Sequence, residues 1–213
     1  MANLSLYHLF LVVLSFHFMS YNTANSTLVT TSSYNGATNF IRISCRATLY
    51  PVLCYQSLSV YASKIQQNER QLAKAALSVS LAKARFTTMF VSKLTKVSGI
   101  KTRELRAVQD CMDNMGDTVD QLSRSLEELS HMNRIHGGQD FMWHMSNVQT
   151  WVSAALTNEN TCSDGFAGNF MEGNVKAVVN RRIVTVAQVT SNALALVNRF
   201  AERHQAAAVT NLP

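Results

Sequence analysis

The stretch K-T-R-E-L-R-A-V-Q-D-C-M-D-N-M-G-D-T-V-D-Q-L-S-R-S-L-E-E-L-S-H-M, Lys101–Met132, decides the fold. Its apolar residues are Leu105, Val108, Met112, Met115, Val119, Leu122, Leu126 and Leu129. The steps between them alternate three, four, three, four without a break, which lays one apolar seam along a bundle helix. Asp113, Asp117, Asp120, Arg124, Glu127 and Glu128 lie off that seam and predict a solvated outer face.

The same period recurs on either side. One segment carries Leu72, Ala76, Val79, Phe86, Phe90, Leu94 and Val97, and ends at Ser98-Gly99. A third carries Phe141, Met145, Val148, Val152 and Ala155, and a fourth Val175, Val179, Val186, Val189, Ala193, Val197 and Phe200. Gly99, Gly137-Gly138 and the glycines between 165 and 173 stand where helices should stop. Pro51 and Pro213 are the two prolines, and no clean strand alternation occurs. The expectation is an all-α protein, an up-down-up-down four-helix bundle over residues 67–205. Residues 40–66 form an appended helical hairpin, and 206–213 a C-terminal tail.

Four cysteines, Cys45, Cys54, Cys111 and Cys162, allow three pairings. If the second and third bundle segments form an antiparallel hairpin, facing residues have positions that sum to a constant. For Cys111 and Cys162 that constant is 273, which puts the fold point between His136 and Gly137, where the glycines also place the turn. The Cys111–Cys162 bridge then ties the hairpin about 37 Å from its turn at 1.5 Å per residue. Cys45–Cys54 closes the remaining short loop.

Residues Leu9–Met19 are an apolar run too short for a bilayer span, followed by small residues near Ala24. Residues 1–24 therefore read as a signal peptide, which fits paired cysteines in an oxidising compartment. Residues 25–39, rich in Ser, Thr and Asn, read as a flexible tail holding the glycosylation sequon at Asn25. The mature, secreted chain should have no membrane span.

A net charge of +6 favours acidic surroundings, yet the basic residues are dispersed and no aromatic platform for nucleic acid is present. A basic protein in a polysaccharide environment fits better than a nucleic-acid binder. No nucleophile elbow, zinc helix or phosphate loop occurs, and both thiol pairs are committed to bridges. His131, His136 and His144 cluster at the central turn with spacings that match no standard metal arrangement. The chain reads as a non-enzyme that needs no cofactor or metal.

The segments F-I-R-I-S-C-R-A-T-L-Y-P-V-L-C-Y-Q-S-L (40–58), V-Q-D-C-M-D-N-M-G-D-T-V-D-Q-L (108–122), V-Q-T-W-V-S-A-A-L-T-N-E-N-T-C-S-D-G-F (148–166) and T-S-N-A-L-A-L (190–196) resemble the plant invertase/pectin methylesterase inhibitor family. The resemblance covers about residues 38–205. It implies a four-helix bundle with an N-terminal hairpin, and bridges joining the first cysteine to the second and the third to the fourth. It also implies a stoichiometric inhibitor that covers the active-site cleft of a cell-wall enzyme, either pectin methylesterase or acid invertase. Invertase inhibitors of the family often carry a Pro-Lys-Phe tripeptide, which this chain lacks, so the pectin methylesterase branch is the nearer match. The alternatives are an invertase inhibitor or a secreted interaction protein of the same fold. Family contacts fall on bundle helices, which points to Asp113, Asp117, Asp120, Arg124 and Glu127 on the second helix. On the third helix it points to Trp143, Thr150 and Thr157, Trp143 being a candidate interface anchor.

Overall fold

A computed structural model describes residues 34–132, 138–168 and 174–210, with side chains to residue 205. Four long helices form the bundle: α4 (Glu69–Leu94), α5 (Thr102–His131), α6 (Gly138–Asp164) and α7 (Asn174–Thr210). Each packs on two neighbours in the cyclic order α4, α5, α6, α7, and successive helices are antiparallel. In front of them come α1 (residues 34–45), α2 (Pro51–Leu58), a 3-10 turn (Ser59–Tyr61) and the short α3 (Ala62–Ile65).

The α5–α6 hairpin keeps the expected register. Cys111 is bonded to Cys162 with Cα atoms 4.3 Å apart. Seven residues further along α5, the Thr118 hydroxyl donates to the Ala155 carbonyl, again a pair whose positions sum to 273. The fold point itself, at His136 and Gly137, lies outside the described residues. Cys45 is bonded to Cys54, closing the α1–α2 turn, where Pro51 takes the first helical position and loses no needed donor.

The core corrects the seam on α5 by a partial turn. The fully covered line runs through Val108, Cys111, Met115, Thr118, Leu122, Ser125 and Leu129. Met112, Val119 and Leu126 are half-buried flanks of it. Thr118 and Ser125 sit at the centre because their hydroxyls bond the preceding turn, at Asn114 and Gln121, so neither hydroxyl is left unpaired between closely packed helices. On α4 the central positions are Leu77, Ala84, Thr87 and Val91, whereas Phe86 and Val97 of the expected seam point outward.

Both expected tails are partly helical. The hairpin begins at residue 34, not 40, because Ala37, Ile41, Ser44 and Cys45 form an i, i+4, i+7, i+8 stripe that is buried. The polar composition of that stretch hid the stripe, while Thr38 satisfies itself by donating to the Tyr34 and Asn35 carbonyls. At the other end α7 continues to Thr210, so residues 206–210 are backbone helix rather than tail.

One side chain clamps the hairpin to the bundle. Asn192 of α7, 3 % exposed, accepts from the Tyr50 N–H and donates to the Tyr50 carbonyl, each at 3.0 Å. The Tyr50 N–H, which would otherwise need water, is thus met by a side-chain amide, and the Tyr50 carbonyl, which also accepts from the Cys54 N–H at 2.9 Å, gains a second donor. Asn192→Leu, which keeps the volume and removes both bonds, is expected to destabilise the fold by about 1–3 kcal/mol. Urea unfolding checks this, and a variant as stable as the parent would remove the clamp from the account.

Candidate interaction face

The candidate contact residues stand on the outer faces of α5 and α6, two helices joined by the Cys111–Cys162 bridge. On α5, Asp113, Asp117, Asp120, Arg124 and Glu127 are all exposed. Asp113, Asp117 and Asp120 line a shallow groove with Met112, Gly116 and Val119 of the same helix and Arg85, Thr88 and Met89 of α4. On α6, Trp143, Thr150 and Thr157 recur every seven residues as one exposed row, with Trp143 62 % exposed. Among the described residues no hydrogen bond joins the two rows, so they act as separate edges of the α5–α6 face.

Glu128 does not belong to the outer row. It turns toward α6, where it accepts from His144 Nδ1 at 2.7 Å and from Asn147 Nδ2 at 3.0 Å. Burial pushes its carboxyl up. The hydrogen bonds from Asn147 and His144, with the positive charge of His144 and His131, outweigh burial and hold it below the usual carboxylate range. A depressed pKa means the contribution to stability is present at neutral pH and is lost as the pH falls through the folded-state value. Trp143 stacks edgewise on His144, ring centroids 4.9 Å apart, so its exposed indole rests on an imidazole that Glu128 orients. His131 is exposed, and His136 lies outside the described residues.

Two further residues carry chemistry that the sequence motifs contain but do not explain. Glu159 of α6 is fully buried and accepts from the Thr190 hydroxyl of α7 at 2.8 Å. Its second oxygen, Oε2, has no protein partner. Burial raises its carboxyl to about 8, against a smaller opposite pull from Thr190. Glu159 lies in T-N-E-N-T-C, and Thr190 and Asn192 lie in T-S-N-A-L-A-L; these are the polar residues through which the segments grip each other. Among the described residues no group of three or more His, Cys, Asp or Glu is placed to hold a metal, and no helix is long and apolar enough to cross a membrane.

Four long helices and two disulfides define a stapled helical-bundle protein. The chain belongs to the plant invertase/pectin methylesterase inhibitor family, whose model matches residues 39–196. Pectinesterase inhibitor 9 of Arabidopsis thaliana is 54 % identical over 166 residues, 77 % of this chain and 81 % of that protein. Pectinesterase inhibitor 11 of the same plant is 45 % identical over 204 residues, 96 % of this chain and 100 % of that one. Both relatives are named as inhibitors, not enzymes. A solved structure of a mutant form of an Arabidopsis pectin methylesterase inhibitor superposes with a TM-score of 0.58 at 23 % identity, covering 72 % of this chain and 92 % of that one, which shows the shared fold.

Proposed function

We propose that the mature chain is a secreted inhibitor of pectin methylesterase, acting in the plant cell wall by covering the enzyme's active-site cleft with the outer faces of α5 and α6. The observation that carries this reading is the 54 % identity to a pectinesterase inhibitor. Three further points support it. Two disulfides suit an oxidising compartment. All eight candidate contact residues are exposed on the long helices α5 and α6. The Pro-Lys-Phe tripeptide of invertase inhibitors is absent. Removal of residues 1–24 and glycosylation at Asn25 belong to the same proposal, and both fall outside the described residues.

The test is titration of the purified mature chain against pectin methylesterase and, in parallel, acid invertase. Complete loss of esterase activity near one equivalent, with invertase untouched, is the expected result. Inhibition of invertase alone would reverse the assignment, and inhibition of neither would leave an interaction protein of the same fold.

Trp143 is the side chain with most to lose. An exposed indole that becomes enclosed in an interface is a typical hot spot, so Trp143→Ala is expected to weaken inhibition by roughly 30-fold or more, about 2 kcal/mol. Because Trp143 is 62 % exposed, the melting temperature should move little. Unchanged inhibition by this variant would take α6 out of the contact. Asp113→Asn, Asp117→Asn and Asp120→Asn together should act mainly on the association rate and its salt dependence; stopped-flow inhibition at two ionic strengths reads both.

A further inference from the structure

The α4–α7 groove lies across the bundle from the proposed inhibitory face and has the opposite electrostatic character. It encloses about 520 Å³ and is lined by Ala82, Lys83, Phe86 and Thr87 of α4 and Val178, Arg181, Arg182, Thr185 and Val186 of α7. Among the described residues, three cations and no carboxylate line it. Among the described residues neither Lys83, Arg181 nor Arg182 is paired with an acid. Arg182 is instead held over aromatic rings, its guanidinium carbon 3.9 Å from the Phe90 centroid and 5.4 Å from that of Phe86. Stacking of this kind fixes a guanidinium while leaving its edge donors free for a planar anion such as a carboxylate. Phe86 is 58 % exposed beside those cations, a large apolar ring left at the surface where its helix's periodicity would place it in the core.

We propose that this groove binds an acidic polysaccharide, a chain of uronate sugars. Arg181, Arg182 and Lys83 take the sugar carboxylates, and the exposed Phe86 ring supports a pyranose face. The inference rests on the reading above in one respect: hydrolysis of each ester in pectin leaves a carboxylate on the chain. The product of the restrained enzyme is then the ligand of the groove, and the inhibitor is retained where de-esterification has already occurred. A polyanion also fits better than a second copy of this chain. The acidic α4–α5 groove of such a copy carries its own cation, Arg85, and belongs to the proposed enzyme contact.

The test uses the full mature chain with homogalacturonan of graded methyl-ester content, followed by affinity electrophoresis and calorimetry at mildly acidic pH and low salt. Affinity is expected to rise as ester content falls, and to weaken with added salt as charges are screened. The Lys83→Gln, Arg181→Gln, Arg182→Gln triple variant should bind at least about 10-fold more weakly, each charge-assisted bond being among the stronger polar contacts. It should inhibit pectin methylesterase as the parent does. Should loss of the Arg182 stack disturb folding, the Lys83→Gln, Arg181→Gln double variant with Arg182 intact is expected to lose at least about 3-fold.

Equal binding to fully esterified chains would overturn the proposal, as would undiminished binding by the folded variants. Tighter binding to polyglutamate would assign the groove to an acidic protein instead. A dimer in the absence of ligand, abolished by the same substitutions, would assign it to a second copy. Uronate binding by a chain that inhibits neither enzyme would leave this proposal standing while removing the inhibitory one.

Discussion

Stability is expected to fall as the pH rises from about 5 to about 9, with Glu159 as the principal cause. Below its ordinary value of 4.5 the carboxyl is protonated in folded and unfolded chain alike. Between there and about 8 the folded chain retains a proton that the unfolded chain has released. The folded state then binds more protons, so rising pH favours unfolding throughout that window. The raised pKa thus gives a contribution that is complete in acid and absent in alkali. Converted at 1.36 kcal/mol per pH unit, the span amounts to on the order of 5 kcal/mol, a large share of a typical domain's stability.

The geometry explains the size. Oε1 has one hydroxyl donor, Thr190, and Oε2 has none, so an ionised carboxylate in this core would lack the partners it has in water. Urea unfolding at pH 5, 7 and 9 with the bridges intact should show a falling midpoint. Glu159→Gln keeps the shape and the acceptor for Thr190, cannot ionise, and should flatten the profile. A variant whose midpoint fell as steeply as the parent's would clear Glu159. The proposed setting in a mildly acidic wall places the protein on the favourable side of this titration.

The second large effect belongs to the Cys111–Cys162 bridge. It closes a separation of 51 residues, against 9 for Cys45–Cys54. The chain-entropy relation gives about 4 kcal/mol for the long loop and about 2.5–3 for the short one. Replacing Cys111 and Cys162 together by Ala should therefore lower stability more than replacing Cys45 and Cys54. Both cysteines of the long bridge are 1 % exposed, so the Ala pair also leaves a small void that adds to the loss. A greater loss from the short bridge would mean that the unfolded chain is already compact across α5 and α6.

Inhibition should respond differently from stability to the two bridges. The long one ties the helices that carry Trp143 and the acidic row, and its loss loosens the face itself. The short one ties the hairpin, which packs on α4 and α7 and lies away from that face.

Several parts of this molecule were legible in its residues alone. Apolar spacing of three and four states helix, glycines mark the stops, and constant position sums in a hairpin choose among cysteine pairings; all three depend on neighbours in sequence or on a single rigid geometry. The outward placement of Asp113, Asp117, Asp120, Arg124, Glu127, Trp143, Thr150 and Thr157 follows from the same period. Periodicity locates a helix face only to within part of a turn, however, and the final rotation is set by how closely two helices approach. That approach puts Thr118 and Ser125 at the centre of α5, leaves Met112 and Val119 at its flanks, and turns Glu128 inward to His144 and Asn147. The tertiary structure alone decided that Phe86 faces solvent under Arg182, that Asn192 reaches the Tyr50 backbone, and that Glu159 is sealed in the core beside Thr190. A polar side chain becomes stable in an interior only when a particular donor or acceptor from a distant segment meets it, and no local pattern records which segment that will be.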